Sequence, residues 1–330
     1  MFLRSAAIAA LTLTTLPAWG QCVGDNYLDQ LSPTQQADLT KAVSDLPFAE
    51  GLIWEATQDD TRMTVVGTVH IYDPRLDDIY LQIAADVVAA DLVLLEATPK
   101  EEAELQDLIS TDPGRLFITE GPTLPEVLDD ETWTAIADAA QARNIPGFMA
   151  AKMQPWYLSL VLSIPPCAAQ DMVNGNRGLD HMISQGASDA GVPMQALEPF
   201  TTLFDIFQDE PIDDQIEMLM INLMTPDIQQ QMFVALLDRY FAQDVGRLWE
   251  MSRIAMTEID GIDPAAATAL FAETEQSLLI DRNRNWMPVI AEAANANDTL
   301  IVAVGAAHLI GPDGLLQLLQ DDGWALTRIE

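Results

Sequence analysis

Cysteine, histidine and positive charge are all scarce in this chain of 330 residues: two Cys, three His, and 15 Lys+Arg against 51 Asp+Glu. Two cysteines exclude a disulfide-dense scaffold, and neither has a companion at metal-ligand spacing. The shortage of cations leaves a formal charge of −36. Such a surface repels phosphate backbones and anionic lipid, which excludes a nucleic-acid partner and fits solubility in salt. Neither GxxxxGK[ST] nor GxGxxG occurs, so the common nucleotide-binding loops are excluded. Without GxSxG or HExxH there is no nucleophile elbow and no zincin helix. Seventeen glycines and no sustained heptads exclude collagen and coiled coil.

Apolar residues make up 49% of the sequence, enough for a sizeable core. The first 20 residues read as a cleaved secretory signal. Arg4 precedes an apolar run from Ala6 to Leu16, Pro17 breaks it, and Ala18-Trp19-Gly20 offers a processing site before Gln21. That run is too short to span a bilayer, and no later segment is long and uncharged enough. The expectation is a periplasmic or secreted protein with no transmembrane segment. Cys22 and Cys167 would then meet an oxidising compartment, and their spacing leaves the pairing open.

Residues 21–46 read as a polar leader with one helix from Pro33 to Leu46. A strand from Gly51 to Thr57, a turn at Gln58-Asp59-Asp60 and a β-branched run from Arg62 to His70 predict a hairpin. A helix is expected from Leu76 to Ala90, and a doubly buried strand from Asp91 to Glu96. Residues 101–163 are helical in pattern, with Pro165-Pro166-Cys167 as a loop. A helix from Leu179 to Ala190 and a buried strand from Val192 to Glu198 follow. Residues 212–257 and 264–294 are again helical. Thr299–Gly305 predicts a strand, Leu315–Leu319 a helix and Trp324–Ile329 an edge strand. The sum is an α/β fold over residues 47–330: a mixed central β-sheet with flanking helices and a large helical insert around 101–170 and 200–295.

Two of the three histidines share a setting. Val65-Val-Gly67-Thr-Val-His70 and Val302-Ala-Val-Gly305-Ala-Ala-His308 are each an apolar strand, a glycine, two residues and a histidine. Ligands gather beyond the carboxyl ends of strands in open α/β sheets, and glycine there admits close approach of other groups. Glu96 and Glu198 end two further apolar runs in the same manner. A carboxylate in that position needs a partner or a cation. Two imidazoles with one or two carboxylates suit Mn²⁺, Co²⁺, Zn²⁺ or Fe²⁺. The alternative is that the glutamates neutralise a buried arginine. Arg282, in Asp281-Arg-Asn-Arg-Asn285, could be that arginine, or could polarise a substrate carbonyl. Asp180 reads as a helix cap and His181 as an exposed helix residue.

At these residues the sequence resembles the TraB/GumN family, related to the Tiki metalloproteases. The matching pieces are Gly67-Thr-Val-His70, Gly305-Ala-Ala-His308 and Glu96, with Gly178-Leu-Asp180, Met194-Gln-Ala-Leu-Glu198, Arg282-Asn283 and His308-Leu-Ile-Gly311 in order. The resemblance implies an α/β fold of the Tiki, erythromycin-esterase and ChaN type. It also implies metal-dependent hydrolysis at the strand ends. Together the expectations are a divalent metal on His70, His308, Glu96 and Glu198, with Glu96 and Arg282 as catalytic groups. Gly67, Gly305, Asp180 and Asn283 would support them, and the substrate would be a peptide or small ester. The alternative is a periplasmic metal- or haem-binding protein without turnover.

Overall fold

The computed structural model describes residues 22–173, 175–208, 210–221, 223–257 and 263–329. The expected signal segment lies outside them. Local chemistry accounts for several element starts. Ser32 and Gln35 form a capping box on α1 (Pro33–Ser44). Thr98 and Glu101 do the same for α3 (Pro99–Thr111), after α2 (Leu76–Ala89). Asp129 accepts the N–H groups of Glu131 and Thr132 to start α5 (Asp130–Gln141), after the single turn α4 (Leu124–Val127).

The helical series continues with α6 (Gly147–Ala150), α7 (Pro155–Ser163), α8 (Pro166–Val173) and α9 (Leu179–Ala190). Next come α10 (Thr202–Gln208), α11 (Ile212–Ile221), α12 (Pro226–Phe241) and α13 (Val245–Thr257). Finally come α14 (Pro264–Glu275), α15 (Asp281–Ala296) and α16 (Leu315–Asp321).

Six strands form one mixed sheet: β1 (Ile53–Gln58), β2 (Thr61–Thr68), β3 (Leu92–Leu95), β4 (Met194–Ala196), β5 (Thr299–Gly305) and β6 (Ala325–Arg328). Their order is β4-β3-β5-β2-β1-β6. β4, β3, β5 and β2 run parallel, and β1 is antiparallel to both β2 and β6. The architecture is the α/β mixed sheet with flanking helices that the sequence predicts. The main core lies between this sheet and its helices, and includes Val65, Val93, Leu94, Ile183, Trp286, Val302 and Leu316. Separate apolar clusters form among the helices: Ile136, Leu158 and Leu219 in one, and Trp156, Phe204 and Phe207 in another.

Three details differ from the sequence reading. Pro166 opens a helix instead of lying in a loop, because proline at the first helical position gives up a hydrogen that has no partner there. The segment ending at Glu198 is not a buried strand. β4 is an edge strand of three residues with Gln195 exposed, since only β3 pairs with it. The helix expected over 264–294 is interrupted by a π-turn, Gln276–Ile280, directly before Arg282.

A disulfide joins Cys22 to Cys167, which are 145 residues apart in sequence. It ties the start of the described chain to α8. Among the described residues no helix is long and apolar enough to cross a membrane.

Candidate active site

Four neighbouring parallel strands end at one place. Thr68 stands opposite Gly305 across β2 and β5, and Leu95 stands opposite both Ala303 on β5 and Ala196 on β4. The two Gly-x-x-His segments are therefore side by side, although 238 residues separate His70 from His308. Glu96 and Glu198 leave the adjacent strands. This convergence follows from the parallel register, which aligns carboxyl ends.

Gly305 lies at the centre of the group. A Cβ on it would sit 3.4 Å from Glu96 Oε1, 3.6 Å from His308 Cδ2 and 3.9 Å from His70 Nε2. A side chain there would fill the space that these three groups share. The Gly305 N–H also donates to Glu96 Oε1 at 2.7 Å. Gly67 packs against Ala306 and Leu309, and its carbonyl accepts from the buried Tyr240 hydroxyl at 2.9 Å.

Both imidazoles are oriented through Nδ1. Asn283 donates its amide hydrogens to the carbonyls of His308 and Asp313, so its Oδ1 is left to accept. That oxygen is 2.7 Å from His308 Nδ1, which places the ring hydrogen on Nδ1 and the lone pair on Nε2. Burial, together with Arg282 and His70, pulls the His308 pKa down to about 4, so the ring is neutral at physiological pH. The Trp286 ring packs 4.4 Å from it.

His70 Nδ1 lies 3.3 Å from Asp180 Oδ2. Crowding lowers the His70 pKa, but the hydrogen bond and charge of Asp180, with Glu96, outweigh it and raise the value to about 9. Asp180 reaches His70 because α9 starts against the end of β2. A Cβ on Gly178 would lie 2.0 Å from the Val69 carbonyl oxygen, so only glycine permits that approach. His181, the next residue on α9, is half-buried and does not line the cleft.

Arg282 is buried among the acids. Its Nε donates to Glu198 at 3.0 Å, and Nη2 donates to Glu96 Oε2 at 2.5 Å and to Glu198 Oε1 at 2.6 Å. Nη1 donates to the Leu278 carbonyl at 3.1 Å, and the remaining contact, to His308 Nε2, is 3.2 Å. All five guanidinium hydrogens are thus engaged. Burial lowers the Arg282 pKa, but Glu198 and Glu96 prevail and raise it, so the charge is permanent. Burial would also push the Glu96 carboxyl up. His308, His70 and Arg282 reverse this and hold it down at about 2.

The structure brings His70, His308, Glu96, Glu198, Arg282, Asn283 and Asp180 together. It gives two of them partners other than those expected. Both Glu198 oxygens are held, by Arg282 and by Trp286 Nε1 at 3.0 Å, and Glu96 pairs with Arg282 too, the contact that the arginine-neutralising alternative expects of both glutamates. Arg282 has no hydrogen left for a substrate carbonyl. Trp286 was not anticipated, although it lies four residues after Arg282 and so on the same helix face. Thr68 was also missed. It follows Gly67 directly and is the last residue of β2.

Among the described residues no group of three or more His, Cys, Asp or Glu stands ready to hold a metal ion. Arg282 Nη1 occupies His308 Nε2. The donor chemistry nevertheless fits an ion. Two imidazoles anchored at Nδ1 turn toward a shared space beside Gly305, and an ionised carboxylate borders it. Anchoring the far nitrogen to an oxygen acceptor is how proteins orient histidine ligands. A cleft of about 240 Å³ opens over this space, lined by Thr68, His70, Asp180, Phe200 and Leu203 among others.

A model of the TraB/PrgY/gumN family matches residues 52–328. No curated protein and no solved structure matches the chain.

Proposed function

The chain belongs to the TraB/PrgY/gumN family, and on that premise we propose that it is a metal-dependent hydrolase of peptide or small-ester carbonyls. The carrying observation is the pair of imidazoles fixed at Nδ1 by Asp180 and Asn283 and facing, with Glu96, the space beside Gly305. His70, His308 and Glu96 would hold a divalent ion such as Mn²⁺, Co²⁺, Zn²⁺ or Fe²⁺. Such an ion supplies Lewis acidity and makes water a nucleophile near neutral pH.

The chain's own residues prepare the site. Asp180 holds the His70 Nδ1 hydrogen, so the exchangeable position on that ring is Nε2. Asn283 does the same for His308. Arg282 holds Glu96 and Glu198 in register, and an ion on His308 Nε2 would take the place of its Nη1 contact there. Glu198, fixed by Trp286, is a positioning residue, not a ligand. The cleft, smaller than the pockets of drug-sized ligands, suits an acyl group or a short peptide segment.

We place the protein in the periplasm or outside the cell. The Cys22–Cys167 disulfide supports an oxidising compartment, in keeping with the signal-like first 20 residues.

The test is elemental analysis of the purified protein before and after Mn²⁺, Co²⁺ or Zn²⁺ supplementation, with hydrolysis measured on a peptide library and on p-nitrophenyl acetate. Bound metal and turnover are expected to be lost together in His70→Ala and His308→Ala, with circular dichroism unchanged. Bound metal or haem without turnover would favour a binding protein instead. Full activity in either variant would reject the reading.

A further inference from the structure

Hydrolysis of a carbonyl needs a hydrogen-bond donor for the oxygen that becomes negative, and four of the five Arg282 hydrogens are committed elsewhere, to Glu96, Glu198 and the Leu278 carbonyl. The fifth, on Nη1, points at His308 Nε2, the nitrogen that the ion would take, and not into the substrate cleft. Freeing one of the four would uncover a buried carboxylate or leave the arginine's own charge under-solvated at the moment of reaction. Glu102 and Asp180, which also line the cleft, are acceptors when ionised.

Apart from His70, whose Nε2 the ion would take, one lining side chain has a donor to spare. Thr68 is 3% exposed, and its Oγ1 is buried without a hydrogen-bond partner. Buried hydroxyls normally find partners, and an orphan is destabilising. Thr68 is the last residue of β2, lines the cleft and stands opposite Gly305 across the β2–β5 ladder. An unpartnered hydroxyl on a residue that lines the cleft is available to a substrate carbonyl that enters there.

We propose that Thr68 is the donor that stabilises the carbonyl oxygen of the substrate during hydrolysis, and that Arg282 is a positioning residue. This rests on the hydrolase reading above. As water adds to the carbonyl carbon, the C=O π pair moves onto oxygen, and the Thr68 hydroxyl donates a hydrogen bond to it. Collapse re-forms C=O and breaks the bond to the amine or alkoxide, which leaves with the proton lost by the attacking water. Thr68 keeps its own hydrogen throughout.

The test compares Thr68→Val, which removes the hydroxyl but keeps the shape, with Thr68→Ser, which keeps it. Each protein is used with its bound metal measured. On p-nitrophenyl acetate or the best library peptide, Thr68→Val should lower kcat about 100-fold with KM little changed, and Thr68→Ser should stay within about tenfold of the parent. Thr68→Val should unfold in urea no more easily than the parent, since it deletes an unpartnered polar group. A second readout needs no turnover. Methylphosphonate, a tetrahedral oxyanion probe, should bind Thr68→Val about tenfold more weakly in calorimetry. A parent inactive on every substrate would fail the hydrolase reading, while the phosphonate comparison would still judge Thr68. Equal phosphonate affinity in parent and Thr68→Val, absence of phosphonate binding, or a kcat in Thr68→Val within threefold of the parent would overturn the proposal.

Discussion

Without Arg282, Glu96 and Glu198 would face each other with no cation between them, their side chains only 18% and 10% exposed. Breaking a buried ion pair from one side is far more costly than never having built it, because the remaining charges stay desolvated. Arg282→Met should therefore lose about 3–5 kcal/mol in urea unfolding at neutral pH. Arg282→Lys keeps the charge but has three hydrogens for five acceptors, so it should fall between the two. A loss below about 1 kcal/mol in Arg282→Met would show that the carboxylates find other partners. The arrangement also explains why the arginine sits where it does. The π-turn ahead of α15 presents the Leu278 carbonyl to Nη1, and π-turns within helices often mark such functional geometry.

The link between β2 and α2 is governed by a smaller ion pair. Asp73 accepts from the Arg75 backbone N–H, Nε and Nη2, each at 2.9 Å, and its carbonyl accepts the first N–H of α2. The Arg75 guanidinium then lies 4.0 Å over the Phe241 ring of α12. Burial would raise the Asp73 pKa, but Arg75 overrides it and lowers the value from 3.8. A carboxylate depressed in the folded state adds stability above its unfolded pKa and loses it as pH falls through the folded one. Asp73→Asn should therefore cost about 1 kcal/mol near pH 7, discounted for the half-exposed Arg75. The gap from the parent should close as pH falls below about 4. A gap independent of pH would mean that shape, not charge, holds the link.

Such links were hard to see in the sequence, whereas the elements they join were legible. The hairpin at Gln58–Thr61, the strand before Glu96 and the strand Thr299–Gly305 each announce themselves by alternation or by a β-branched run. The site residues were legible because strand ends carry histidine and glutamate where hydrophobic runs stop. Their partners were not. Whether Glu198 meets an ion or Arg282 depends on how α15 brings Arg282 and Trp286 against the segment after β4, a contact between segments more than 80 residues apart. No local pattern encodes that distance. Thr68 was within reach, since it stands inside the Gly67-Thr-Val-His70 segment itself.

At the scale of the whole molecule, charge is the dominant unbalanced quantity. Ten of the fifteen Lys and Arg side chains pair with carboxylates among the described residues. With 51 acids in the chain, most of the negative charge has no such partner. Salt acts on both populations. It weakens the exposed pairs, each worth about 0–1 kcal/mol, and it screens the repulsion among the remaining acids. The buried Arg282 pairs are little affected, because screening acts mainly through solvent. Repulsion should prevail, because unpaired acids far outnumber paired ones and the compact state concentrates their charge. Between about 10 mM and 1 M salt the screening length shrinks from about 30 Å to about 3 Å. The urea midpoint at pH 7 should therefore rise over that range of NaCl, by on the order of 1 kcal/mol or more in unfolding free energy. A midpoint that falls with salt would mean that the paired charges, few as they are, contribute more to holding the molecule together than the unpaired ones do to driving it apart.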